Sequence, residues 1–212
     1  MRNNKKPNID NATNCIDTDR WDAIDALDDQ SEIYSIATTD PNSAAREVAV
    51  RKLKDRDALM HVAVTDVDPM IRLEASRLVT NPEDIHTIVT SESQWDIRLE
   101  LLGRIKDPLL LESIAQSDPD DVVRLYAAVL SKRWDTIRDI ALNSANWETR
   151  LDALEYIYDL GTFKLISLTD TDYRVCLEAL NEIKDIDSIK QIAENSKHVE
   201  VVKEACEKLK GM

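Results

Sequence analysis

The sequence predicts an all-α fold, an α-α superhelix or solenoid of about seven to eight short helical hairpins. Three observations carry this expectation. Glycine occurs only three times in 212 residues, beside six prolines, whereas sheets, barrels and phosphate-cradling loops need glycine at their turns. The chain repeats itself every 26 residues without insertion. Within each repeat the apolar positions follow helical spacing.

The repeat shows in several columns at once. Arginines fall at Arg20, Arg46, Arg72, Arg98, Arg124 and Arg150. Three residues beyond each comes a small or apolar residue: Ala23, Ala49, Ala75, Leu101, Ala127 and Ala153, continued by Ala179 and Ala205. A further column reads Ile33, Leu59, Ile85, Leu111, Ile137, Phe163 and Ile189. This periodicity spans residues 18–212 as a single solenoid, after a polar N-terminal tail over 1–17 that is expected to be flexible.

Each repeat divides into two helices. The first, as in 120–132, is headed successively by Asn42, Asp68, Gln94, Asp120, Asn146 and Asp172. Five of these six are side chains that cap a helix N-terminus by accepting a backbone N–H. The second is shorter, as in 135–143, and buries Ile137, Ile140 and Ala141. Pro41, Pro69, Pro82, Pro108 and Pro119 fall between or at the starts of these segments, where a missing N–H is tolerated. The first helix is apolar around more than half its circumference, as expected of a helix with a neighbour on each side.

The repeating arginine lies within that buried arc, where a guanidinium needs a partner. Six residues before it runs an acidic column: Asp40, Asp66, Glu92 and Asp118 precede Arg46, Arg72, Arg98 and Arg124. Arginine and acid recur together, which predicts a ladder of buried ion pairs tying neighbouring repeats rather than a row of anion-binding arginines. Weak rungs are expected where Ser144 accompanies Arg150 and where Asp170 accompanies Cys176.

The segment Asp118-Pro119-Asp120-Asp121-Val122-Val123-Arg124-Leu125-Tyr126-Ala127-Ala128 resembles the D-P-x-x-x-V-R-x-x-A-A signature of HEAT-like repeats, and 40–49 and 66–75 resemble it more loosely. In length the repeats also approach leucine-rich-variant repeats, without the cysteine cluster of that family. The resemblance implies a right-handed superhelix whose second helices line its concave face. It implies a non-enzymatic binding scaffold more often than an enzyme. The alternative is an accessory lyase-like or other enzyme subunit with a small-molecule groove. The His-Glu dipeptides of HEAT-like hydroxylases do not occur here, and the basic groove of HEAT-like DNA glycosylases conflicts with the charge.

That charge is −14, from 27 basic and 41 acidic side chains spread over both halves. A uniformly acidic surface repels phosphate backbones and anionic headgroups, so neither nucleic acid nor membrane is an expected partner. Cys15, Cys176 and Cys206 lie far apart, which fits a reducing compartment, and a cytoplasmic location is expected. No apolar run long enough for a signal peptide or a membrane span occurs.

No catalytic residues, metal site or cofactor are predicted. His61 and His86 sit on neighbouring second helices but have no third ligand nearby, and with His198 they are expected to be exposed. The aspartate pairs lack the glycine and distal glutamate of a calcium loop. The outer face of the second helices is more informative. It is small and polar in the N-terminal half, then carries Leu142, Leu165 and Leu168 where solvent is expected. Arg138, Lys164 and Lys190 recur beside them in one column. An apolar patch rimmed by charge is a partner-binding signature, and a protein or peptide is the expected partner. Trp95, Trp147 and Tyr173 form a further column, expected mainly to pack between repeats.

Overall fold

Two aspartate or asparagine side chains, two residues apart, staple four of the connections from a second helix to the next first helix. Asp40 accepts the Asn42 N–H and Asn42 accepts the Ala44 N–H, both at 2.9 Å. Asp66 and Asp68 do the same, as do Asp118 and Asp120, and Asp170 and Asp172. Such local bonds satisfy orphan donors of the following helix and hold the turn to three residues.

The computed structural model describes residues 17–212, which form fifteen α-helices and no strand. They fall into two compact units, divided between Lys106 and Asp107. The first unit holds α1 (Asp17–Asp25), α2 (Gln30–Thr39), α3 (Ser43–Lys52), α4 (Arg56–Thr65), α5 (Pro69–Leu78), α6 (Pro82–Ser91) and α7 (Trp95–Leu102). The second holds α8 (Pro108–Ser117), α9 (Asp121–Ser131), α10 (Trp134–Asn143), α11 (Trp147–Leu154), α12 (Leu160–Thr169), α13 (Tyr173–Glu182), α14 (Ile186–Asn195) and α15 (Val199–Lys210). The polar tail expected over 1–17 lies outside the described residues apart from Asp17.

The fold is all-α and repetitive. Odd-numbered helices are the first helices of the sequence repeat and even-numbered ones the second. In the first unit α1, α3, α5 and α7 stack successively, and so do α2, α4 and α6. In the second unit α9, α11, α13 and α15 stack, with α12 on α14.

The tightest hairpins, however, pair each second helix with the first helix that follows it: α2 with α3, α4 with α5, α8 with α9, α10 with α11, α12 with α13 and α14 with α15. The structural hairpin is therefore shifted by one helix from the frame read in the sequence. The turns explain the shift. The stapled turn draws two helices together, whereas the other connection within each unit buries an aliphatic side chain (Leu53, Val79, Ile157 or Ile183) between its flanking helices.

Five of the six predicted first-helix caps accept a backbone N–H, and Gln94 does not. A second cap column heads the even helices at Asp29, Asp55, Asn81, Asp107, Asp159 and Asp185. It breaks at Arg133, which does not cap α10. Just before it, Lys132 ends α9 in the left-handed region at φ 58°, the only described residue with positive φ. No glycine is needed for the remaining turns, which accounts for its scarcity.

Candidate functional site

The arginines of the odd helices point into the seam between successive repeats. Arg46 Nε and a terminal nitrogen donate to the two carboxylate oxygens of Asp66 at 2.8 and 2.9 Å. Its other terminal nitrogen donates to the Asp40 carbonyl at 3.0 Å. Arg72 repeats the pattern with Glu92 and the Asp66 carbonyl. Arg150 does so with Asp170 and the Ser144 carbonyl. Arg20 pairs with Asp40 in the same register. Arg98 is buried and donates to the Glu92 and Ser93 carbonyls. Asp118 accepts the Asp120 N–H.

The residue six before Arg46, Arg72 or Arg150 therefore supplies its carbonyl, and the carboxylate comes from twenty residues ahead. This register relocates the weak rungs. Arg150 is fully paired, and Cys176 donates its thiol to the Asp170 and Ile166 carbonyls. The rung that fails is Arg124, whose forward position is Ser144. Arg124 instead turns to Asp121 on its own helix, at 2.8 Å.

Burial of Glu92 pushes its carboxyl up, but the Arg72 guanidinium and the Gln94 N–H outweigh it and hold it below the usual range. A bidentate charge-assisted pair of this kind is strong because desolvation is met by matched geometry.

The candidate binding face lies on α10 and α12 in the second unit. Leu165 is 41% exposed, with Leu142 and Leu168 half-buried on the same face. Leu142 also lines a cavity of about 330 Å³ with Ser144, Arg150, Ile166, Thr169 and Asp170. Arg138 and Lys190 are exposed and Lys164 half-buried. Their surroundings contain a feature not visible in the columns, since two of them sit near the caps of the next even helix. Asp159 is held low by the Thr162 hydroxyl and N–H and by the Gly161 N–H, with Arg138 adding its charge. Asp185 is held low by the Ser188 hydroxyl and N–H, with Lys164 adding its charge. Lys190 approaches Asp187 at 3.8 Å.

The aromatic column is divided. Arg174 lies 3.4 Å over the Trp147 ring while pairing with Asp172, so the next repeat covers that face. Trp95 and Tyr173 remain partly exposed.

The histidines also separate. His61 is exposed and meets the Tyr34 ring edge-on, with centroids 6.0 Å apart. His86, expected to be exposed, is half-buried. His198 differs from expectation: its Nε2 lies 3.0 Å from the Asp170 carbonyl, in a partly buried contact. Among the described residues no group of three His, Cys, Asp or Glu side chains is placed to hold a metal ion.

These features define an all-α helical-repeat protein. No family model matches this chain, and no curated protein or solved structure matches it.

Proposed function

We propose that the protein is a non-enzymatic interaction module of HEAT-like type, which binds a segment of another protein on the even-helix face of its second unit. The observation that carries this reading is the half-exposed patch of Leu142, Leu165 and Leu168, on a face whose counterparts in the first unit are mostly small and polar. An exposed apolar patch costs solvation unless a partner covers it. The flanking basic column of Arg138, Lys164 and Lys190, on a chain of charge −14, favours a partner that places carboxylates around an apolar core.

The described residues contain no helix long and apolar enough to cross a membrane. The free thiols of Cys176 and Cys206 support a reducing, cytoplasmic setting.

The test is affinity capture with the intact protein beside a Leu165→Asp, Leu168→Asp variant that retains its circular dichroism and unfolding midpoint. Loss of the captured partner by the variant alone supports the reading. Equal capture by both proteins rejects it.

A further inference from the structure

The ladder breaks at one rung, and the break has the geometry of a site. At Arg46, Arg72 and Arg150 the carboxylate from twenty residues ahead is held by Nε and a terminal nitrogen of the arginine. It is also held by the N–H two residues beyond the acid: Asp68 at 2.8 Å, Gln94 at 2.9 Å and Asp172 at 2.8 Å. The rung thus amounts to a carboxylate between a guanidinium and one backbone N–H.

At the corresponding position ahead of Arg124, Ser144 stands in place of the acid. Its hydroxyl is much shorter than a carboxylate. Ser144 is 5% exposed and its Oγ is buried with no hydrogen-bond partner. Arg124 Nε is also buried with no partner. The arginine's one ion pair is to Asp121, and its side chain is 29% exposed, well above those of Arg46 and Arg150. The Asn146 N–H stands where its counterparts donate to the rung carboxylate. Leaving the Ser144 hydroxyl and the Arg124 Nε–H buried and unmet is costly, so their arrangement favours a group that meets both. Ser144 also borders a cavity of about 330 Å³, which lies on its Arg150 and Asp170 side.

We propose that the Arg124–Ser144 gap binds a carboxylate from outside the chain, which completes the rung as Asp66, Glu92 and Asp170 do at theirs. Arg124 supplies the charge and its unmet Nε–H, Ser144 a hydroxyl and Asn146 its N–H. Asp118, Asp120 and Asp121 lie close in sequence to this place, so a monoanion is favoured over a phosphate dianion. The carboxylate belongs either to a free small acid or to the end of a bound chain. Its chemistry is the same in both.

The experiment is a titration of the full-length protein with acetate, followed by ¹H–¹⁵N spectra of the Arg124 Nε–H and the Asn146 N–H, against chloride at equal ionic strength. Saturable shifts of both signals with acetate, and none with chloride, are expected. The Arg46 and Arg72 side chains, already paired, should not respond. Ser144→Asp supplies the carboxylate internally and should abolish the acetate response while raising the unfolding midpoint. Should that variant fail to fold, Arg124→Gln, which stays polar but removes the guanidinium and its charge, should abolish the Asn146 shift.

A short peptide with a free C-terminus and its amidated form separate the two sources. Tighter binding by the free form than by acetate assigns the site to a chain end. Binding by acetate alone assigns it to small acids. Absence of any saturable shift at Arg124, or an equal response to chloride, overturns the proposal. The Leu165→Asp, Leu168→Asp variant should keep the acetate response, so this result stands or falls separately from the docking face.

Discussion

Arg46 reaches forward twenty residues to the carboxylate of Asp66 and back six to the carbonyl of Asp40. One side chain thereby ties a stapled turn to the turn of the next repeat. Because Arg72 and Glu92 form the same buried, bidentate pair, Arg72→Leu should lower stability by about 3–5 kcal/mol, the scale for stranding a buried charge. Arg72→Leu with Glu92→Leu should cost clearly less than either single change. Urea unfolding of the four proteins measures this, and simple additivity would contradict the pairing.

The irregular connection after α9 should be open to improvement. Lys132 holds φ 58°, a region that glycine occupies without a Cβ penalty. Lys132→Gly is expected to raise stability by about 1 kcal/mol. The reverse holds for a sound cap: Asp159→Ala should cost about 1 kcal/mol by releasing the Gly161 and Thr162 N–H groups. Thermal unfolding midpoints read both, and opposite signs are expected.

Acid should weaken the fold gradually. Asp172 is pulled down to about 2, first by its hydrogen bonds from Arg174. Asp84 is lowered chiefly by Arg56, and Asp159, Asp185 and Glu92 are lowered too. Carboxyls whose folded values lie below the unfolded value of about 4 contribute stability that is present above that pH. It is lost as pH falls towards about 2. The unfolding midpoint should be flat near neutrality and fall below about pH 4.5, and a midpoint rising on acidification would contradict these pairings.

The described cysteines should differ in reactivity. Burial pushes the Cys176 thiol up to about 12, while Cys206 is exposed. Alkylation at pH 8 under native conditions, followed by peptide mapping, should label Cys206 and leave Cys176 unmodified until the protein is denatured. Rapid native labelling of Cys176 would show that the seam around Ile166 and Asp170 opens.

Much of the fold was legible because period and pattern agree. A 26-residue repeat without insertion aligns caps, core and charges in columns, so Asn42, Asp68 and Asp120 declare helix starts by type and place alone. The cap column from Asp29 to Asp185 carries the same signal for the even helices, which are not the shorter ones the pattern predicts: each has ten residues, against eight in α7 and α11. The pairing of Arg46 with Asp66 was not legible. Either acid suits an arginine in sequence, and only the turn geometry decides that the nearer one offers its carbonyl and the farther one its carboxylate. The hairpin frame was hidden for a similar reason: both connections are short, and the buried Leu53 column that separates one pair of helices reads in sequence as ordinary core. The exposure of Leu165 followed from the helical wheel, whereas the closeness of Arg138 to the Asp159 cap requires the stacking of α10 against its neighbours.

Amide hydrogen exchange of the protein with and without its captured partner tests the docking face most directly. Slowed exchange confined to Trp134–Asn143 and Leu160–Thr169, lost in the Leu165→Asp, Leu168→Asp variant, is the predicted result. Protection that falls on the odd helices, or that survives the double substitution, would contradict it.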